Sequence, residues 1–130
     1  MAKDDRSWRV LLIDDSEAVL RLQEETLAKA GFEVRATTTI EQLDETLGDW
    51  TPDLILTDVQ MPDVSGPELC RRLKGRYETA HVPVVLCSTL SRDELAELAI
   101  ECEADAFVSK AEGVERMAEE VRMACEELIW

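Results

Sequence analysis

Short apolar runs rich in β-branched residues recur along the chain: "VLLI" at 10–13, "FEVRA" at 32–36, "LILT" at 54–57, "VPVVLC" at 82–87 and "AFVS" at 106–109. Between them lie longer stretches whose apolar residues follow the helical period. In "SEAVLRLQEETLAKAG", Val19, Leu20, Leu27 and Ala30 fall near that spacing, with Ser16 placed to cap the start and Gly31 to stop it. "TIEQLDETLGDW" has Leu43 and Leu47 four apart, and "GPELCRRLKG" carries a proline suited to a first helical turn. "SRDELAELAIECEA" opens with Ser91 and has Glu94 three residues on, the pattern of a capping box. "GVERMAEEVRMACEELI" closes the chain as an amphipathic helix. The predicted order is βαβαβαβαβα, with strand starts roughly 20–30 residues apart, the length of a βα unit. Strict alternation predicts an α/β fold, a parallel sheet covered by helices on both faces. No linker, low-complexity tract or repeat interrupts the 130 residues, so they read as a single domain.

Charge narrows the partners. Lys and Arg number 14 against 29 Asp and Glu, a net charge of -15. Nucleic-acid phosphates and anionic membrane surfaces both demand clustered basic side chains, so neither fits. A protein partner with a basic patch, or a bound cation, does. The cysteines Cys70, Cys87, Cys102 and Cys125 form no C-x-x-C pair and His81 is the only histidine, which argues against zinc. Four packed, reduced thiols suit a reducing cytoplasm. "MAKDDRSW" lacks an apolar signal core and no apolar run is long enough to span a bilayer, so the expectation is a cytoplasmic protein.

In an open parallel sheet, ligands bind at the C-terminal ends of the strands, where strand order reverses. The first strand ends at Asp14 and Asp15, the third at Asp58, the fourth at Ser88 and the fifth at Lys110. Adjacent buried carboxylates are costly, because each raises the other's pKa and loses water. A divalent cation and Lys110 would bring +3 against the -3 of Asp14, Asp15 and Asp58, and oxygen ligands suit Mg²⁺. The backbone carbonyl of Gln60, two residues past Asp58, offers another oxygen. Taken singly, each residue has a plainer explanation: a solvated helix start, a turn former, a helix cap, an exposed lysine. Their placement on the corresponding ends of successive strands is the stronger signal.

From about Arg9 to Ile129 the sequence resembles the receiver domain of two-component response regulators, through "LLIDDS", "DLILTDVQMPDVSG", "VPVVLCST" and "ADAFVSK". The resemblance implies a flavodoxin-like fold, five parallel strands in the order 2-1-3-4-5 flanked by five helices. It implies that Asp58 is the phosphoryl acceptor. By the same likeness Asp15, Asp58 and the Gln60 carbonyl ligate Mg²⁺ directly and Asp14 helps through water. Ser88 is then the switch hydroxyl, Lys110 the cation paired with Asp58 and later with the phosphoryl group, and Phe107 the switch aromatic. Three positions depart from the family's commonest pattern. Ala111 stands where proline usually follows the lysine, Thr89 where a small residue follows the hydroxyl, and Phe107 where tyrosine is frequent. Without proline, a cis bond after Lys110 would cost about 3–4 kcal/mol, so a trans bond is expected.

The implied function is a phosphorylation-dependent signalling switch rather than a metabolic enzyme, with self-phosphorylation and autodephosphorylation at Asp58. A sensor histidine kinase or phosphotransfer protein would be the donor. The face of the fourth helix, fifth strand and fifth helix would meet an output protein, because no output domain follows the fifth helix unless the chain is part of a longer regulator. Two other functions compete. A receiver fold used only for binding or dimerisation would dispense with an acidic-pair residue, Asp58 or Lys110, yet all are present. A haloacid-dehalogenase-type phosphatase would carry D-x-D at the nucleophile, and Gln60 occupies that second position.

Overall fold

The computed structural model describes residues 7–59 and 64–129. In chain order the elements are β1 (Arg9–Ile13), α1 (Glu17–Lys29), β2 (Glu33–Thr37), α2 (Ile40–Leu47), β3 (Leu54–Asp58), α3 (Gly66–Lys74), β4 (Val84–Ser88), α4 (Arg92–Cys102), β5 (Ala106–Ser109) and α5 (Val114–Leu128). The strands form one parallel sheet in the order β2-β1-β3-β4-β5. This is the predicted architecture and strand order.

The central strands are apolar at nearly every position because helices cover both faces of the sheet. Alternate residues feed two separate cores. Leu11, Ile13, Ile55, Val84 and Leu86 pack with Leu43, Leu47, Leu69, Leu73 and Leu95 from α2, α3 and α4. Val10, Leu12, Leu54, Leu56, Val85 and Val108 pack with Leu20 and Leu27 from α1 and Met117 and Val121 from α5. The four cysteines are free and buried. Burial pushes the Cys70, Cys87 and Cys125 thiols up to about 12, so they stay protonated and inert near neutral pH.

Helix starts follow the sequence signals. Ser16 accepts a hydrogen bond from Val19 N–H, and Ser91 and Glu94 form the expected capping box. Other local expectations shift. Val19 is exposed, and the inward face of α1 is Leu20, Gln23 and Leu27. An apolar count passes over Gln23, which is buried with its amide near Cys87 Sγ. The fourth strand begins at Val84 rather than Val82, because Val82 N–H bonds back to Thr79 O at 3.0 Å and Pro83 has no N–H to give. Likewise Phe32 N–H closes the end of α1 on Leu27 O at 3.1 Å, so the second strand begins at Glu33.

Gly113 precedes α5 with φ 95° and ψ 163°, a conformation open almost only to glycine. A Cβ there would meet nothing within 4 Å, so a side chain would cost backbone strain and no clash. Gly113→Ala is expected to lower stability by about 1–3 kcal/mol; a urea melt with unchanged midpoint would contradict this.

Candidate functional site

Between β1 and β3 the chain reverses direction across the sheet: it leaves β1 toward β2, then returns past β1 to begin β3. A crevice opens at such a point beyond the strand ends. Ile13 pairs in register with Thr57, so the next residues, Asp14 and Asp58, stand level on adjacent strands. Asp58 pairs with Cys87 and Ser88 with Ser109, which brings the end of β4 and the start of the Lys110 loop alongside.

Asp14 is 4% exposed, Asp15 is exposed and Asp58 is half-buried. One carboxylate oxygen from each lies within 4.8 Å of the others. Asp14 Oδ1 accepts from Ser16 N–H at 3.0 Å, and Asp14 Oδ2 from Lys110 Nζ at 2.8 Å. Lys110 Nζ is 3.8 Å from Asp58 Oδ1, which also accepts from Val59 N–H at 2.9 Å. The ammonium thus sits between two carboxylates and closer to Asp14 than to Asp58. Burial, the largest single influence, pulls the Lys110 pKa down. The Asp14 hydrogen bond and the neighbouring negative groups together outweigh it, and the net shift is upward from 10.5. With the folded value above the ordinary one, the contribution of the ammonium is fully present below pH 10.5 and is lost as pH rises past the folded value. Near neutral pH Lys110 is a fixed cation.

The backbone places these groups. Lys110 N–H bonds to Ser88 O at 2.8 Å, extending the β4–β5 ladder by one step. The bond from Lys110 to Ala111 is trans, as no described residue has a cis peptide. Asp14 N–H bonds to Thr37 O at 3.2 Å, and Thr37 Oγ donates to Leu12 O at 3.0 Å. This buried threonine braces the end of β1, yet it lies one residue past the apolar run at 32–36, where nothing in the sequence marks it. Ser88 is buried, and its Oγ accepts from Leu90 N–H at 3.2 Å. Ser91, not Ser88 or Thr89, caps α4, which leaves Thr89 exposed on the loop with no capping role. Phe107 pairs in register with Leu86 and packs, partly buried, against the α2–α3–α4 core. Gln60 lies outside the described residues.

The donor set fits a hard divalent cation. Octahedral oxygens about 2.1 Å from Mg²⁺ are about 3 Å apart when adjacent and about 4.2 Å when opposite; the three carboxylate oxygens, all within 4.8 Å of one another, are close to this range.

The family model of the response regulator receiver domain matches residues 10–122. The chain belongs to this family. Its members are signalling domains phosphorylated on an aspartate. A gliding motility regulatory protein of Myxococcus xanthus is 41% identical over 115 residues, 87% of this chain but 15% of that protein. The polar-differentiation response regulator DivK of Brucella ovis is 31% identical over 114 residues, 87% of this chain and 92% of DivK. So the receiver domain spans nearly all of one relative and a small part of the other. Among solved structures, the chemotaxis response regulator CheY4 of Vibrio cholerae shares the fold with a TM-score of 0.79 at 21% identity, over 91% of this chain and 98% of that one. The signal receiver domain of a signal transduction histidine kinase from Syntrophus aciditrophicus is 29% identical, with a TM-score of 0.67, over 89% of this chain and 93% of that one. Among the described residues, no helix of this receiver domain is long and apolar enough to cross a membrane.

If the carboxylate cluster binds a divalent cation, adding Mg²⁺ raises the melting temperature by relieving repulsion. A hundredfold excess over Kd corresponds to about 2.7 kcal/mol. Asp15→Ala should lose most of this rise in a thermal titration; equal responses from variant and wild type would place the ion elsewhere.

Proposed function

We propose that Asp58 accepts a phosphoryl group, in a Mg²⁺-dependent reaction, from a sensor histidine kinase or a phosphotransfer protein. The observation that carries this is the convergence of Asp14, Asp15 and Lys110 on the Asp58 carboxylate at the reversal point of the sheet. Asp14, Asp15, Asp58 and the Gln60 carbonyl are the groups that would hold Mg²⁺. Bound there, the ion shields the charge of the incoming phosphoryl oxygens.

The chain's own groups supply the rest. An oxygen of Asp58 forms the new bond to phosphorus as the donor's P–N bond, or P–O bond for an acyl phosphate, breaks and the leaving group keeps the electron pair. Lys110, already held beside both carboxylates, faces the charge that develops and pairs with the phosphoryl group afterwards. Phosphorylation replaces one carboxylate charge with a phosphoryl group of about −2, adding strong acceptor oxygens. Ser88 Oγ can donate to one of them after turning from its bond with Leu90. Its departure gives Phe107 room to turn inward from the β5 edge, which carries the change to the face of α4, β5 and α5. Ile100 of α4 is exposed on the surface, set among the acidic side chains Glu97 and Glu101, which suits an output partner with basic groups around an apolar contact. Such chemistry belongs in the cytoplasm, where the donor's phosphohistidine is made.

Incubation with acetyl phosphate and Mg²⁺ should add one phosphoryl group by intact mass, and Asp58→Asn should abolish it. An adduct that persists in Asp58→Asn would sink the assignment. Thr89 stands beside Ser88 with a side chain stiff at χ1. It should slow both the approach of small donors and the hydrolysis of the product, so Thr89→Ala should speed phosphorylation and shorten the phosphoryl half-life. As an exposed residue that caps nothing, its loss should move stability by no more than about 0.5 kcal/mol. Unchanged rates would show that Thr89 does not gate the site.

A further inference from the structure

Glu120 belongs to α5, yet its carboxylate gathers groups from three parts of the molecule. Its Oε2 takes Arg92 Nη2 at 2.6 Å and Arg116 Nε at 3.3 Å, while its Oε1 accepts from Ser109 N–H at 3.4 Å. Arg92 is the first residue of α4 and also reaches Glu112 Oε2 at 3.0 Å, in the loop that follows Lys110. Ser109 is the residue before Lys110. One carboxylate therefore ties the start of α4 to the end of β5 and to α5.

The segment between Ser88 and Arg92 is held at both ends. At its start, Ser88 O accepts from Lys110 N–H at 2.8 Å and Ser88 Oγ accepts from Leu90 N–H at 3.2 Å. At its end, Arg92 is pinned to Glu120. Only Thr89, Leu90 and Ser91 lie between, so a shift of Ser88 toward Asp58 is felt at Arg92. The two partners differ in exposure: the Glu120 side chain is 10% exposed and that of Arg92 49%. A carboxylate so enclosed needs its cationic partners, whereas Arg92 stands half in water and can let go at modest cost.

We infer that Arg92 and Glu120 are positioning residues that hold the Ser88 loop in its unphosphorylated arrangement, by fastening the start of α4 to α5 and to the Lys110 loop. The inference rests on the acceptor role of Asp58. Moving Ser88 Oγ from Leu90 N–H to a phosphoryl oxygen displaces the loop and strains or breaks the contact with Glu120. Releasing Arg92 lowers the cost of that second arrangement, by no more than the difference in its interactions between the two.

Arg92→Gln removes the charge while Arg116 still partners Glu120, so the enclosed carboxylate is not orphaned. Two measurements read the restraint. The first is hydrogen exchange at the Leu90 amide without any phosphoryl donor, which should be faster in Arg92→Gln and near wild type in Arg92→Lys. The second is the rate of labelling by acetyl phosphate with Mg²⁺, which should rise about two- to fivefold in Arg92→Gln, the ratio a partly exposed ion pair supports. Arg92→Lys should again stay near wild type. Unchanged Leu90 exchange overturns the restraint whatever the labelling does. Faster exchange with an unchanged or slower labelling rate overturns the coupling to phosphorylation, even if the melting temperature falls. Failure of the wild type to be labelled at Asp58 overturns the acceptor role, and with it the coupling, while the exchange result still decides whether Arg92 holds the loop.

Discussion

The contact between the Lys110 ammonium and Asp14 is the interaction on which the site depends. Three carboxylates at one end of a sheet repel one another, and Asp14 is almost wholly withdrawn from water. A single cation, brought from the opposite part of the sheet, balances one of them directly and stands within 4 Å of a second. Its surroundings push its pKa upward, so it stays charged throughout the neutral range. What remains is an excess of negative charge suited to a divalent ion. The ladder step from Lys110 to Ser88 and the brace from Thr37 to Leu12 both serve to keep this balance in register.

The architecture was legible because its signals are local and repeated. The five apolar runs and the helical spacing between them mark each element, and Ser16, Ser91 and Glu94 mark helix starts through hydrogen bonds that neighbours in sequence can make. The strand order is a different matter, since alternation alone does not say which strands adjoin; it came from the family resemblance. Where local expectation failed, a neighbour distant in sequence or the missing amide of proline decided the outcome. Gln23 is buried because the sheet, not α1, determines which face turns inward, and Val82 is lost from β4 because Pro83 interrupts the donors.

The site shows the same division. Asp14, Asp15, Asp58, Ser88 and Lys110 could be found by asking what stands at each strand end. That Lys110 lies nearer Asp14 than Asp58 could not, since it depends on side-chain reach across intervening strands. Thr37 and Glu120 were invisible for a related reason. Each looks ordinary in its own segment and gains its role from atoms that belong to other elements.

The division of the interior into two cores has a consequence for how a signal can travel. On β5, Phe107 packs with the α2–α3–α4 layer and the next residue, Val108, with the α1–α5 layer. The sheet is therefore a partition between two compartments whose side chains do not interdigitate. Under the proposed switch, a turn of Phe107 would be taken up first by the α2–α3–α4 layer it packs against, while Val108 ties the same strand to α1 and α5. One short strand thus joins two layers that otherwise meet only through the sheet, and neighbouring residues of it report to different sides.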